Sequence, residues 1–344
     1  MSILQEFHQV NRKNEKTRGW NRFHRYSLYY KRYRRVFYNG RKNDFECVWI
    51  AEDYYLRDAI SIISCIALST KEIAISSGVI NPFTRHPVLI AQTIATLNDI
   101  ALGRIRLALG TGVKPLIEGM GIQFKKPLKH IAEAVKIIRS LLEGKRVDFE
   151  GEAFKIKGVK LGENPYFVSE SNFLKVYATP IYIAAIGPKM LRLAASISDG
   201  ILLTAGLAPE NVERMVKDIK NVVNESGRDF SKFLIGNYIL THLGEPSNML
   251  KTFIAFHVAY SDLKNLFEVG ITEEYSKTVR ETLEKKGIKE TIPLIKNNIV
   301  EFFAACGTIE EIQSRIEEYR KAGVSHPIIL PVETDTARLI NSLA

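Results

Sequence analysis

Glu52 and Asp53 stand side by side at the end of the apolar run ECVWIA (46–51). Adjacent carboxyl groups in that position can hold or exchange a proton if a pocket raises the pKa of one of them. A second polar stretch, Ser77 to Arg85, contains Asn81, Thr84 and Arg85 and leads into His86. Two glycine-bearing turns follow other apolar runs: Gly110-Thr111-Gly112 after RIRLALG (104–110) and Gly187-Pro188 at the end of IYIAAIG (181–187). Turns of this kind let backbone amides approach a ligand, and Gly187 precedes a helix whose first amides can hold an anion. Lys114 and Lys189 lie just beyond the two turns. Either could pair with phosphate or a carboxylate tail, and either could equally be a solvated lysine. GTG is not the spaced GxGxxG of a dinucleotide fold, and no acidic residue follows at the required interval.

Other reactive side chains offer less. Cys47, Cys65 and Cys306 include no CxxC pair and no histidine at metal-ligand spacing, so the reading is a reducing compartment and no structural metal. Cys65 sits in an apolar run and is expected to be buried. His86 is expected to pack or to cap the helix beginning at Pro87. His130 reads as a surface or interface group, and His257 and His326 have no partner visible in the sequence.

These residues must be positioned by elements. From Glu46 onward short apolar runs alternate with amphipathic segments, the pattern of βα units and a parallel sheet. Strands are predicted over 46–51, 72–79, 104–110, 181–187, 200–206, 233–240 and 326–332. Helices are predicted over 87–100 and 209–225, each opening on proline, and over 308–322, with Thr308 as the cap. RVDFEGEAFKIKGV (146–159) reads as a hairpin inside an insertion of about 145–180, and 245–300 reads largely as loops that would contact a substrate. Seven strands leave a closed barrel one short, and the missing strand would have to precede residue 46.

The 344 residues, 46% hydrophobic and 25% charged, describe a globular chain rather than a disordered or disulfide-built one. The net charge of +10 is concentrated at the start: residues 1–45 hold 12 Lys/Arg against 3 Asp/Glu, so the remainder is nearly neutral. The division is therefore a basic, aromatic-rich extension (1–45) and one barrel domain (46–344). A basic arm that binds nucleic acid is the alternative from a different class, and it would show strongly salt-dependent binding. Nucleic acid is otherwise not expected as a partner. No run is long enough to span a membrane and no secretory leader is visible, which points to the cytoplasm.

GVINPFTRHPVLIAQTIATLNDIALGRIRLALGTG (78–112) resembles, nearly end to end, the signature stretch of the luciferase-like family of flavin- and coenzyme F420-dependent oxidoreductases. ECVWIAEDYYLRDA (46–59), IYIAAIGPKMLRLAASISDGIL (181–202) and GTIEEIQSRIEEYRKAGVSHPIILP (307–331) are similar to further landmarks of that family. The likeness is greatest to the branch that includes 5,10-methylenetetrahydromethanopterin reductase. It implies a (β/α)8 TIM barrel with an insertion, its first strand here atypical or missing, assembled as a homodimer or higher homo-oligomer.

The resemblance also implies roles. Glu52 and Asp53 would be the catalytic pair, Asp53 standing where the family often has histidine. Gly78 and Val79 would form a non-prolyl cis peptide backing the cofactor ring, with Asn81 beside it. Gly110, Thr111 and Gly112 would meet the cofactor's phosphate side, and Ala185, Ile186, Gly187 and Pro188 would make a second backbone contact to its tail. The implied activity is hydride transfer between F420 and a small organic substrate; the alternative is an FMN-dependent monooxygenase.

Overall fold

The computed structural model describes residues 45–164, 176–261, 266–267 and 269–343. What the sequence suggests for residues 1–44, including whether they supply a strand, lies outside the described residues, as does the middle of the 145–180 insertion.

Seven strands form a parallel run in the order β1 (Cys47–Ile50), β2 (Ala74–Ser77), β3 (Ile105–Leu109), β6 (Ile181–Ala184), β7 (Gly200–Leu203), β8 (Leu234–Leu243) and β10 (His326–Pro331). Each corresponds to a run predicted from the sequence. Successive residues of a strand face opposite sides, and here both sides are covered. Ala108, Tyr182, Leu202 and Ile328 pack with Trp49, Val79, Ala184 and Tyr238 in the interior of the curved sheet. The alternate residues Ile75, Leu107, Ile183, Ile201 and Ile235 pack outward against helices. Burial on both faces is why these strands read as nearly continuous apolar runs.

The helices that cover the sheet follow their strands: α1 (Ala59–Ser69), α2 (Pro87–Ala101), α3 (Lys114–Gly119), α4 (Pro127–Leu142), α5 (Pro188–Ile197) and α6 (Pro209–Glu225). The predicted start signals act as expected. Pro87 and Pro209 occupy first-turn positions, where a missing N–H costs nothing. The antiparallel hairpin is present as β4 (Val147–Glu150) and β5 (Lys155–Val159).

Three expectations need correction. Cys65 is exposed, not buried. Its helix, AISIISCIALS, carries Ser61 on its outward side but Cys65 and Leu68 there as well, so the run reveals only faintly that Ala59, Ile63, Ile66 and Ala67 form the inward face. The segment read as loops over 245–300 is largely helical: α7 (Asn248–Tyr260), α8 (Glu273–Lys286), α9 (Ile288–Thr291) and α10 (Asn297–Phe303). These helices bury their own cluster, including Leu250, Ile254, Val258, Val279 and Phe303. Finally, β9 (Ala304–Gly307), which was not predicted, pairs with the far end of β8, Leu240–Leu243. Its sequence, AACG, lacks the β-branched residues that signal a strand.

α11 (Ile309–Lys321) then returns to β10, and α12 (Thr336–Leu343) closes the chain. The predicted Thr308 cap of α11 forms a capping box with Glu311. Because β9 prolongs β8 at its C-terminal end, the α7–α10 insertion stands at the end of the sheet where the catalytic groups of barrel enzymes sit.

At the opposite end, Arg106 donates to Glu46 at 2.7 Å, and Glu46 also lies 3.5 Å from His326 on β10. The Arg106 bond holds the Glu46 carboxyl below its usual range, while burial lowers His326. A cavity of about 720 Å³ opens here, lined by Glu46, Arg106, Arg139, Asp199 and His326. Those charges pair with one another, Arg139 with Asp199 at 3.0 Å. None of the described helices is long and apolar enough to cross a membrane.

Candidate active site

The chain leaves the regular ladder at the end of β2. Gly78 N–H donates to Ile50 O (2.7 Å), and two residues later Ile80 N–H reaches Ala108 O (2.9 Å), while Gly110 N–H returns to Ile80 O (3.0 Å). Between them the Gly78–Val79 peptide is cis, at the position the sequence indicated. The side chain of Ser77 takes over the bonds that the displaced backbone would have made. Its hydroxyl donates to Ala108 O at 3.1 Å and accepts from Ala108 N–H at 3.0 Å. Buried peptide groups are thereby satisfied in spite of the step in the strand.

Beneath that step stands Tyr238, from the interior face of β8. Its hydroxyl donates to Gly78 O at 3.1 Å, and burial pushes the phenol pKa up. A Cβ at position 78 would lie 2.1 Å from the Tyr238 oxygen, so the close approach requires glycine. Val79 turns inward against Gly110, where an added Cβ would come within 2.5 Å of Val79 Cγ2.

Glu52 and Asp53 occupy the loop after β1. Glu52 is half-buried and accepts from Ala59 N–H at 3.1 Å, at the start of α1. Burial raises its pKa; the Ala59 amide opposes this, nearby Asp58 reinforces it, and Arg85 opposes it. A carboxyl balanced in this way can keep a proton to higher pH than a solvated one. Asp53 is exposed.

Asn81 ties three loops together. Its amide donates both to Tyr54 Oη (2.6 Å) and to Thr111 O (2.8 Å), and its Oδ1 accepts from Phe83 N–H (2.7 Å). Only 1% exposed, it joins the segments that follow β1, β2 and β3. Tyr55 adds a clasp between the first and third of these, donating to Leu116 O at 2.6 Å. Gly112 sits beneath Tyr54 with φ of +69°, a left-handed conformation that suits glycine.

The second glycine turn leaves β6. Ala185 N–H is committed to Leu202 O at 3.1 Å. Ile186 is 55% exposed, and nothing packs within 4 Å of where a Gly187 Cβ would stand. Gly187 caps α5 and Pro188 begins it, so the next amides, of Lys189 and Met190, belong to a first turn without intrahelical acceptors. Lys114 lies 3.8 Å from Glu118, and Lys189 is exposed.

The candidate catalytic and cofactor-binding residues therefore stand at the C-terminal ends of their strands. Glu52, Asp53, Gly78, Val79, Asn81 and Gly110 to Gly112 lie on neighbouring loops after β1, β2 and β3, and Ala185 to Pro188 lie on the loop after β6, which pairs with β3. Three supporting residues were missed: Ser77 and Tyr54, which lay within or beside the stretches considered, and Tyr238. The alternation in LIGNYIL places Tyr238 inside, but its partner is 160 residues away and leaves no local signal.

His86, His130 and His257 each have a structural partner. His86 caps α2, its Nδ1 accepting from Val88 N–H at 3.3 Å, and His130 stacks on Phe83 with centroids 3.9 Å apart rather than standing free at the surface. His257 packs near Phe303 and shares a hydrogen bond with Ser261, and burial lowers its pKa to about 4. Burial also pushes Cys47 to about 12 and Cys306 to about 11, which makes neither thiol a nucleophile near neutral pH.

A parallel strand–helix run with its polar loops gathered at the C-terminal strand ends defines an enzyme-type barrel. The chain belongs to the family of luciferase-like monooxygenases, whose model matches residues 28–326. Among its relatives are two named 5,10-methylenetetrahydromethanopterin reductase. The Archaeoglobus fulgidus protein is 35% identical over 292 residues, 83% of this chain and 84% of that one. The Methanolobus tindarius protein is 31% identical, covering 83% of this chain and 86% of that one. The solved coenzyme F420-dependent tetrahydromethanopterin reductase from Methanopyrus kandleri superposes with a TM-score of 0.77 at 26% identity, covering 91% of this chain and 92% of that one.

Proposed function

We propose that the protein is a coenzyme F420-dependent oxidoreductase that passes a hydride between the deazaflavin and a small organic substrate of the methylenetetrahydromethanopterin type. The observation that carries this reading is the Gly78–Val79 step, held out of the sheet by Ser77 and Tyr238 beside a half-buried Glu52. The two named reductases, each matched over most of its length, support the substrate class, and the coenzyme F420-dependent reductase from Methanopyrus kandleri supports the cofactor.

The residues fit a flat ring with an anionic tail. The step presents backbone to one face of such a ring. The open space at Gly187 and the first-turn amides of α5 suit a negatively charged group. When bound, F420 supplies the carbon that accepts or gives up the hydride. The chain supplies the rest. Gly78 and Val79 set one face of the ring, Gly110 to Gly112 and Ala185 to Pro188 hold the tail, and Glu52 keeps a proton for exchange at its carboxyl. Asp53, exposed beside it, orients the ligand at the mouth.

The same reading makes the protein a cytoplasmic homo-oligomer, a second copy covering exposed Leu68 on α1 and Leu89 on α2. Residues 46–344 form its catalytic domain and residues 1–45 an extension.

The test is a titration of purified protein with oxidised F420 and, separately, with FMN, followed by fluorescence quenching at moderate salt. F420 binding with little FMN binding is the expected result. FMN preference would move the protein to the oxygen-using branch of the family, and binding of neither would refute the assignment.

A further inference from the structure

Tyr54 was not among the residues singled out in the sequence, yet its hydroxyl is held at 2.6 Å by the buried Asn81 amide. Phe83 N–H donates to Asn81 Oδ1, which settles which end of the Asn81 amide is nitrogen. The two amide hydrogens of Asn81 are then both spent, one on Thr111 O and one on Tyr54 Oη. The phenol oxygen is therefore an acceptor in this bond. Its own hydrogen has no acceptor among the described residues. Burial raises the Tyr54 pKa, and Glu52 adds to the rise, so the hydroxyl stays protonated near neutral pH.

The position of that hydroxyl is defined by what Gly112 lacks. A Cβ on Gly112 would lie 2.1 Å from Tyr54 Oη and 2.5 Å from Asn81 Nδ2, so the phenol rests directly against the Gly110–Gly112 turn. A buried or half-buried hydroxyl normally finds a partner for its hydrogen. A ligand held on that same turn would supply the partner.

We propose that Tyr54 is a ligand-binding residue, its hydroxyl donating to a phosphate oxygen of the ligand cradled by Gly110–Gly112 while Asn81 holds the phenol in place. This rests on the reading that the turn receives the cofactor's phosphate side. Tyr54 then completes with a side-chain donor a site otherwise made of backbone.

The experiment compares wild-type protein and Tyr54→Phe with two probes: F420 itself, and the ribityl 8-hydroxy-5-deazaflavin that lacks the phosphate and everything beyond it. Tyr54→Phe keeps the ring and leaves Asn81 its bond to Thr111 but takes the acceptor from its other amide hydrogen, so the apo variant is expected to unfold somewhat below the wild-type temperature, and binding is compared where both proteins are fully folded. For F420 the Kd is expected to rise about tenfold, the scale of one hydrogen bond to a charged group. For the phosphate-free ribityl deazaflavin it is expected to change by less than about twofold. An unchanged F420 Kd, or an equal loss with both probes, would overturn the inference. Failure of wild-type protein to bind F420 would instead overturn the underlying reading of the site.

Discussion

Gly78→Ala is the sharpest perturbation of the step that shapes the candidate site. The new Cβ would stand 2.1 Å from Tyr238 Oη, whereas real Cβ contacts stay above 3.0 Å. The phenol must therefore retreat by about 1 Å inside a packed barrel, which costs about 1–3 kcal/mol as overpacking. The move also breaks the Tyr238–Gly78 hydrogen bond, worth about 1 kcal/mol. The expected loss is about 2–4 kcal/mol. Tyr238→Phe alone should lose only about 1 kcal/mol, for the hydrogen bond. In the double variant the offending oxygen is gone, and the next atoms, Tyr238 Cζ at 3.4 Å and Trp49 Cε3 at 3.5 Å, are in ordinary contact. The alanine should then cost less than about 1 kcal/mol, giving a coupling of at least about 1 kcal/mol. Equilibrium urea unfolding of the four proteins measures this cycle. If the single losses simply add, Tyr238 does not press on Gly78 and the account of the step is wrong.

Ser77→Ala should destabilise by about 1–3 kcal/mol, because Ala108 N–H loses its partner in a buried place; urea unfolding checks it. Glu52→Gln should lower kcat by about 10²–10⁴-fold, the range for a lost proton-transfer group, while F420 binding changes little. In the wild type, burial favours the protonated Glu52 carboxyl, so its share of stability is present below the unfolded pKa near 4.5 and is lost as pH rises through the raised folded value. The pH–stability profile of Glu52→Gln should lack that decline. His257 is held neutral, with its pKa lowered from 6.5 to about 4. As pH falls through that window, protons bind the unfolded chain first, and up to about 3 kcal/mol of stability should be lost. The difference in unfolding free energy between wild type and His257→Gln, followed from pH 7 to 4, should carry that loss; a flat difference would show that the histidine is not sheltered.

How much was legible depended on how far apart the cooperating residues lie in the chain. The seven strands of the main run, the hairpin and the starts of α2, α6 and α11 were readable because apolar periodicity, first-turn proline and the Thr308 cap act within a few residues. So were the glycine turns, which declare themselves at strand ends. The helices α7 to α10 did not stand out from the loops they were read as, although Thr272 and Gly287 bracket α8 as cap and stop. The inward face of α1 is only faintly marked, because Cys65 and Leu68 share the exposed side with Ser61.

The sequence by itself determined the parallel strand–helix order, the end of the sheet at which chemistry would gather, and the family to which the chain belongs. These follow from patterns repeated along the chain. Only the tertiary structure decided that Tyr238 supports Gly78 from across the barrel, that Ser77 repairs the ladder at the step, and that Asn81 joins Tyr54 to Thr111. It also decided that AACG becomes a strand, because β8 extends far enough to offer it an edge. Those contacts join residues about 30 to 160 apart, and no local preference encodes a partner that is brought near only when the barrel closes around its core.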